Sequence, residues 1–420
     1  MPAAQEPSDA YLAAQEGALA WLNANWDPGL TVRDWWARLA ESGWGFPTWP
    51  EAWFGQGLSA DAAAGVRSAF GEVEALPPPT GLGQLLGGPM LLIHGNEEQK
   101  SRYLPALVRG EEFWCQFFSE PGSGSDLASA QTRAVHDDGG GWTVNGQKVW
   151  TSGAQYADRG MLLARTDREV PKHQGLSFFI IDMNQPGIQV RPLHQMNGDH
   201  GFNEVFFTDA HIDDDRLVGQ VNAGWSAAVT ILMYERFSTA LPSATPGHKA
   251  GQPDELAGAA ASRVASARTT GRTGVSEVVL DVAKALGEVT DPVMRQKLTA
   301  LWAQERINGL LTRAGQSARE GRRPSAAGSL AKLARSQLAR NGRDTGMAVL
   351  GAQGMLDSPD TPGGGEIQFR ALSSPGASIA GGTDEIQRGI VGERVLGLPK
   401  EPRTDRDVPF KDLTIGTQRT

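Results

Sequence analysis

The spacing of apolar residues divides the chain into three parts with different periodicity. Residues 14–110 carry apolar positions at helical spacing, and Thr31 and Ser59 stand where the capping side chain of a helix is expected. Residues 113–217 change to a period of two, in short β-prone runs separated by Gly, Pro, Asn and Asp. Helical spacing returns from Gly224. This order predicts an α+β fold with an N-terminal α-helical domain, a middle antiparallel β-sandwich or barrel domain, and a C-terminal α-helical bundle.

Further helix boundaries follow from capping patterns. Residues 96–99 read Asn-Glu-Glu-Gln, a capping-box pattern, and Pro105 is expected to limit that helix near its far end. The Asp-Pro pair at 291–292 supplies an N-cap and a first-turn proline for a long helix. Thr383 is predicted to cap the last helix, whose first turn is acidic.

The strongest turn signal in the middle part is Asn145-Gly146, which predicts a β-hairpin over Trp142–Trp150 with this pair at its tip. Short apolar runs predict further strands of the same antiparallel domain. They lie at 161–165, 176–181, 188–192 and 204–207.

Domain boundaries are predicted where the periodicity changes. The N-terminal helical domain covers 1–112, the middle β domain 113–220 and the C-terminal helical domain 221–400. Within the last, 241–273 is rich in Ala, Gly, Ser, Thr and Pro, which predicts a flexible insertion or a poorly packed helix pair. Residues 401–420 are expected to form a loosely ordered tail.

Composition narrows the classes of function. The chain has 39 Lys and Arg against 48 Asp and Glu, a net charge of −9, which argues against nucleic acid as a partner. The lone Cys115 excludes an internal disulfide and a multi-cysteine zinc site, and it suits a reducing compartment. No apolar run approaches ~18 residues and the first residues lack a leader pattern, so we expect a cytoplasmic protein without a membrane span.

The candidate chemistry begins at 114–126, an aromatic β-prone run that ends in Pro, Gly and Ser. Gly122 and Gly124 permit positive φ, so successive backbone N–H groups can point into one concavity beside the hydroxyls of Ser123 and Ser125. Such a nest suits phosphate. An ordinary solvent turn at a strand end is the alternative reading of the same residues.

Four stretches in order make the sequence resemble the acyl-CoA dehydrogenase family of flavoenzymes. They are 116–126, 146–166, 219–236 and 379–397, and the resemblance runs over 85–399. It implies FAD held mainly by the β domain, an acyl-CoA thioester bound between that domain and the helices, and α,β-dehydrogenation. It also implies an electron-transferring flavoprotein as acceptor and a role in lipid β-oxidation.

The resemblance also implies the cofactor contacts. Ser119 would hydrogen-bond the pyrimidine side of the flavin, while Gly124 and Ser125 would meet the pyrophosphate and the pantetheine arm of the thioester. Trp150 would lie against the isoalloxazine and Ser152 near N5; the alternative for Trp150 is a cross-strand core aromatic. The full predicted cofactor set is Gln116, Phe118, Ser119, Gly124, Ser125, Trp150, Thr151 and Ser152.

The position of the catalytic base departs from the commonest family pattern. Many members place a carboxylate where this chain has Gly381, and glycine cannot abstract a proton. Some relatives place it just before an Arg on the helix that enters the third domain, which here is Glu235 before Arg236. We therefore predict Glu235 as base; a surface charge or an ion pair is the alternative. Asp384 and Glu385 compete, but helix-end electrostatics already explains them. The predicted substrate contacts are Ser125, Arg236, Gly381 and Gly382.

The residues expected to reach a partner's FAD are substituted. Ala348 stands where family members carry Gln, and no Arg-x-x-Phe-Gly element is visible between Leu241 and Glu288, after the first helix of the third domain. This leaves a homodimer or homotetramer with altered contacts, or a heteromer with a related subunit. The early base and Gly381 together favour a long, branched or bulky acyl group.

Other functions remain as alternatives. An acyl-CoA oxidase or another oxygen-using flavoprotein of this fold, and a non-catalytic subunit, fit the same motifs. A serine hydrolase elbow at 376–380 lacks its closing glycine and a preceding strand. His194 and His200 have no Cys or Glu at ligand spacing, so no metal site is predicted.

Overall fold

In the computed structural model the chain divides into two compact units, which are described separately. Unit 1 comprises 1–193, 200–265 and 402–420, and unit 2 comprises 194–199 and 266–401. The residues that the structure describes are 7–237, 253–270, 274–317, 327–356, 358–402, 405–415 and 418–419.

The first part of unit 1 is helical, as predicted. Thr31 and Ser59 cap their helices by accepting backbone N–H bonds at 3.1 Å each. The capping box also forms, because the amide of Gln99 reaches the oxygen of Asn96 at 2.8 Å. Pro105 lies inside its helix, which continues to Val108. The helices are α1 (Asp9–Asn25), α2 (Val32–Ser42), α3 (Ala60–Glu72), a π-helical turn (Gly83–Gly87), α4 (Gly88–His94) and α5 (Glu97–Val108).

The second part of unit 1 is a sheet of eight strands, of which β1 is paired off the main path. Its order is β6-β7-β3-β2-β4-β5-β8, and most pairs are antiparallel, as predicted; β1 runs parallel to β4. The sheet stays open, which fits a sandwich and not a closed barrel. The strands are β1 (Trp114–Phe117), β2 (Arg133–His136), β3 (Trp142–Ser152), β4 (Arg159–Arg165), β5 (Leu176–Asp182), β6 (Ile188–Pro192), β7 (Phe202–Ile212) and β8 (Leu217–Val218).

The predicted hairpin tip is wrong, because Asn145-Gly146 lies inside the continuous strand β3. Gly146 has φ 154° at a register shift against β7, and a Cβ there would lie 2.5 Å from the Thr132 hydroxyl. Glycine therefore serves a bulge and a close approach. The real turn between β2 and β3 is 137–141, where the N–H of Asp137 reaches the carbonyl of Gly141 at 2.9 Å.

Two later segments complete unit 1. Helix α6 (Gly224–Phe237) packs against β5 and α4, and part of the predicted insertion forms α7 (Ala257–Thr270). Ala257 and Ala260 of α7 are buried with α1–α3, since their small side chains allow close approach. Residues 241–252 and 271–273 of the predicted insertion lie outside the described residues.

Unit 2 is a helical bundle. Asp291 caps α9 by accepting the N–H of Val293 at 2.6 Å, and Thr383 caps α12 by accepting that of Ile386 at 3.3 Å, both as predicted. Val279, Leu298 and Ile367 are among the buried core residues. The helices are α8 (Val275–Leu286), α9 (Pro292–Ser317), α10 (Ala327–Leu350), α11 (Glu366–Ile379) and α12 (Asp384–Arg394).

Among the described residues, no helix combines the length and apolar character needed to cross a membrane. The same residues hold no group of three or more His, Cys, Asp or Glu side chains that could ligate a metal ion. Cys115 is buried in β1, and burial raises the pKa of its thiol.

Candidate active site

The loop after β1 is a tight turn that presents its glycines outward. Glu120 and Ser123 exchange two backbone hydrogen bonds, at 2.9 and 3.1 Å. The N–H of Ser123 is thus used within the turn, so it is not the nest donor that the sequence suggested. Gly122 and Gly124 do not adopt positive φ, and a Cβ at either would meet no atom within 4 Å. Open space next to Gly122, Gly124 and the exposed Ser125 lets a ligand approach the backbone closely.

A buried ion pair fixes this turn to the sheet. The ammonium group of Lys148, fully buried in β3, donates to the Glu120 carboxylate at 2.8 Å. It also donates to the backbone carbonyls of Phe118 and Leu163 at 3.1 and 2.9 Å. Glu120 accepts two further bonds, from the backbone N–H groups of 131–132, at 2.6 and 2.9 Å. Burial alone would raise the pKa of Glu120, but Lys148 and these donors hold it below its usual value.

Sequence reasoning missed this pair. Lys148 stands at an inward-facing position of a strand that alternates buried and exposed residues, which is unusual for lysine unless it is paired. A lysine at an inward-facing strand position, together with Glu120 directly before Pro-Gly in the loop, could have predicted the ion pair.

The same strand carries Trp150 beside the loop. The N–H of Val149 bonds the carbonyl of Ser119 at 2.9 Å, which brings Ser119 next to Trp150. Trp150 has φ 61°, rare for an aromatic residue, and is 58% exposed, with its ring edge-on to Phe202 at 6.0 Å. It is therefore not a cross-strand core aromatic. A strained backbone that presents a large ring to solvent is typical of a binding site.

Unsatisfied polar atoms lie next to this ring. Thr151 is buried and its hydroxyl has no hydrogen-bond partner within the described part of the chain. Asn203, opposite it on β7, donates to the Thr151 carbonyl at 3.1 Å, but its own side-chain oxygen is likewise unpaired. Ser152 follows, half-buried. Buried polar atoms usually have partners, so two orphans together indicate a missing bonding group.

Two predicted residues occupy less open positions. Phe118 is buried, with its ring edge-on to Phe178 at 6.4 Å, so its backbone is the part that meets the ion pair. Gln116 is half-buried on β1, beside Met161 of β4. Contact of either side chain with a cofactor remains a prediction.

These features fit the flavin nucleotide that the resemblance implies. The exposed Trp150 ring offers an aromatic face, the orphaned Thr151 hydroxyl offers a hydrogen bond, and the open loop at Gly124 and Ser125 offers room for a pyrophosphate. Each belongs to unit 1.

Glu235 lies on α6 of the same unit. Ile231, one helical turn earlier, is buried in a core cluster of unit 1, so this face of α6 is directed inward. Glu235 itself is half-buried. The side chain of Arg236 lies outside the described residues.

The competing carboxylates in unit 2 have other roles. Asp384 is buried and bonds Lys332 at 2.9 Å and Arg340 at 2.6 Å. Burial would raise the pKa of Asp384, but these cations hold it far below its usual range. Gly381 and Gly382, with φ 65° and 85°, form the turn before this residue.

Glu385 is largely exposed and pairs with Arg388 at 3.3 Å. Both first-turn carboxylates are thus explained without catalysis, as the sequence suggested. Ser378 lies in the last turn of α11, where it accepts a hydrogen bond from Arg340, so a strand-to-helix nucleophile elbow is absent there.

Comparison with known proteins agrees with this reading. The chain matches three family descriptions: acyl-CoA dehydrogenase, N-terminal domain, over 13–111; middle domain, over 115–210; and C-terminal domain, over 281–396. The first match extends the similarity upstream of residue 85, where the resemblance in the sequence began.

Individual relatives cover most of the chain. Acyl-CoA dehydrogenase IpdE1 of Mycobacterium tuberculosis is 36% identical over 88% of this chain and 89% of its own length. Acyl-CoA dehydrogenase FadE34 of the same organism is 37% identical over 86% of this chain, which corresponds to 46% of FadE34.

Solved structures show the same fold. The Tcur3481-Tcur3483 steroid ACAD has a TM-score of 0.68 at 26% identity, over 94% of this chain and 99% of its own. The ChsE4-ChsE5 complex of Mycobacterium tuberculosis has a TM-score of 0.67 at 26% identity, over 96% of this chain and 100% of its own. The chain belongs to the acyl-CoA dehydrogenase family, oxidoreductases that act on acyl-CoA.

Proposed function

We propose that this protein dehydrogenates an acyl-CoA thioester between its α and β carbons, with FAD as cofactor and Glu235 as the base. One observation carries the proposal. The side chain of Trp150 is exposed and its backbone is in the left-handed conformation, directly after Val149, whose N–H bonds the carbonyl of Ser119. Such strain persists only where the surrounding structure imposes it, and the buried pair Lys148–Glu120 anchors β3 two residues before Trp150.

The roles of the residues follow from their chemistry. FAD, when bound, supplies the acceptor for the hydride from the β carbon. Glu235, a half-buried carboxylate, takes the α-proton as general base. Ser119 and Thr151 hydrogen-bond the cofactor, Ser125 contacts the pantetheine arm, and Gly381 and Gly382 leave space beside the acyl group.

We also propose a bulky acyl group, long, branched or polycyclic. The absence of a side chain at Gly381 supports it, and so does similarity to a protein described as a steroid ACAD. Rapid flavin bleaching by butyryl-CoA, a short straight-chain thioester, would contradict this part of the proposal.

For the assembly, we propose an oligomer in which another subunit completes the cofactor site. The exposed Ala348 on α10 lacks the amide that family members use there, and two structural neighbours carry paired names, one of them described as a complex. The two forms left open by the sequence are separated by flavin content. Purified alone, a homo-oligomer binds one FAD per protomer, whereas a chain that needs a related subunit stays substoichiometric.

The decisive experiment is anaerobic flavin bleaching with a panel of acyl-CoA thioesters. Glu235→Gln should retain FAD and lose about 10²–10⁴-fold in bleaching rate, because proton abstraction is removed. Glu385→Gln is the matched control and should bleach at the wild-type rate. Unchanged bleaching by Glu235→Gln would show that another group is the base. Oxygen uptake and peroxide release, without an added electron-transferring flavoprotein, would identify an oxidase instead.

A further inference from the structure

The segment Asp405–Asp412, here called the strap, is docked on unit 1, although the sequence predicted a loosely ordered tail. Phe410 is 1% exposed. Its N–H bonds the carbonyl of Val170 at 2.9 Å, and the N–H of Lys411 bonds that of Arg168 at 3.0 Å. The strap therefore lies along the connection between β4 and β5.

Phe410 covers a buried arginine. The guanidinium carbon of Arg165 is 3.7 Å from the centre of the Phe410 ring, a close cation–π contact. Arg165 donates to the backbone carbonyls of Ala128 at 2.6 Å, Ala130 at 3.4 Å and Lys172 at 2.6 Å. Burial lowers the pKa of Arg165 to about 10, so the group stays charged at neutral pH. The ring of Phe410 thus closes off the cation that holds residues 128–130.

A second contact of the strap reaches the same region. The ammonium group of Lys172 bonds Asp405 of the strap at 2.6 Å and Asp126 at 2.8 Å. The backbone carbonyl of Asp126 accepts the hydroxyl of Ser123 at 2.7 Å, and its carboxylate accepts that of Ser129. Asp126 directly follows the exposed loop residue Ser125. Lys172 therefore joins the strap to the end of that loop.

We propose that the strap positions the Gly122–Ser125 loop for its ligand, with Phe410 and Asp405 as positioning residues. Phe410 restrains Arg165, and Asp405 restrains Lys172. These two cations bond residues 126–130, which directly follow the loop. The inference rests on the proposed function, in which this loop meets the pyrophosphate of FAD and the pantetheine arm of CoA.

The test uses full-length variants. Phe410→Ala removes the ring, and Phe410→Leu keeps the apolar burial without the cation–π contact. Asp405→Asn breaks the Lys172 pair at a half-exposed position, so that folding is not at risk. The matched controls are Phe206→Ala, which removes another ring over an arginine on the β domain at 4.7 Å, and the exposed strap variant Asp407→Asn.

Two measurements judge the inference. Amide hydrogen exchange of peptides covering 121–130, without added ligand, should accelerate about tenfold in Phe410→Ala, with smaller increases in Phe410→Leu and Asp405→Asn and none in the controls. FAD and coenzyme A titrations should show about tenfold weaker binding in Phe410→Ala, while the bleaching rate at saturating thioester stays within about twofold of wild type.

The proposed function and the positioning role of the strap can fail independently. If wild type binds neither FAD nor coenzyme A, the proposed function fails, and exchange of 121–130 still judges the strap. If Phe410→Ala and Asp405→Asn leave both exchange of this loop and ligand affinity at wild-type values, the strap has no positioning role. A loss of exchange protection spread evenly over the whole β domain in Phe410→Ala, instead of one concentrated at 121–130, would make Phe410 a general stabilising contact and would also overturn the inference.

Discussion

Replacing Lys148 by Met tests whether the buried ion pair holds the loop. Methionine keeps most of the volume but removes the ammonium group, which leaves Glu120, 6% exposed in its side chain, without its counter-ion. It also removes the donor from the carbonyls of Phe118 and Leu163. Removing one partner of a buried pair costs about 3–5 kcal/mol, well above the ~1 kcal/mol of a surface pair.

The effect has a defined pH dependence. In the wild type the pKa of Glu120 is depressed below 4.5, so its stabilising contribution is present above that pH and lost as the pH falls through the folded-state value. In Lys148→Met the depression is removed. The deficit relative to wild type is therefore largest near neutral pH and narrows as the pH falls below 4.5.

Urea unfolding of both proteins between about pH 3 and pH 8, followed by Trp fluorescence, measures this difference. Lys284→Met is the control, because Lys284 is 59% exposed and pairs only loosely with Asp281 at 3.4 Å; its change should stay within about 0.5 kcal/mol. The double variant Glu120→Gln with Lys148→Met should recover part of the loss. A Lys148→Met deficit below about 1 kcal/mol, or one that grows on acidification, would refute the reasoning.

Two further predictions concern the ring and the second buried carboxylate. Trp150→Gly should leave the free energy of unfolding unchanged or raise it by about 1 kcal/mol, since glycine tolerates φ 61° without strain. The affinity for FAD should fall. A large loss of stability would show a structural role for the ring. Asp384→Asn should lower the free energy of unfolding by about 3–5 kcal/mol at pH 7, because it leaves Lys332 buried and unpaired. Glu385→Gln, the control, should change it by less than about 0.5 kcal/mol. Because the pKa of Asp384 is depressed, the loss of stability in Asp384→Asn should shrink as the pH falls below 3.8. Equal urea midpoints for Asp384→Asn and Glu385→Gln at pH 7 would show that the contacts of Asp384 with Lys332 and Arg340 do not stabilise the fold.

Much of the fold was predictable because its signals are local. A capping residue acts on an amide three positions away, so Thr31, Ser59 and Thr383 identified helix starts correctly. The strands were also predictable from neighbouring residues, since alternating apolar and polar positions indicate a strand with one buried face. Four stretches in the right order, at 116–126, 146–166, 219–236 and 379–397, were enough for the family resemblance.

The predictions that failed or were missed depend on contacts between distant positions. Asn145-Gly146 has a turn-forming sequence, yet it lies inside β3 at a register shift, where Gly146 closely approaches Thr132, the residue directly before β2. Glu120 and Lys148 are 28 positions apart, and only the register of the strands decides that they meet.

The sequence by itself determined the order of helical, β and helical parts, the helix caps and the family, because each depends on neighbouring residues or on motifs. Only the tertiary structure decided that Trp150 is exposed, that Asp384 is committed to Lys332 and Arg340, and that Phe410 covers Arg165. The physical reason is burial. A charge or a ring acquires its role from the groups that replace water around it, and those groups come from distant parts of the chain.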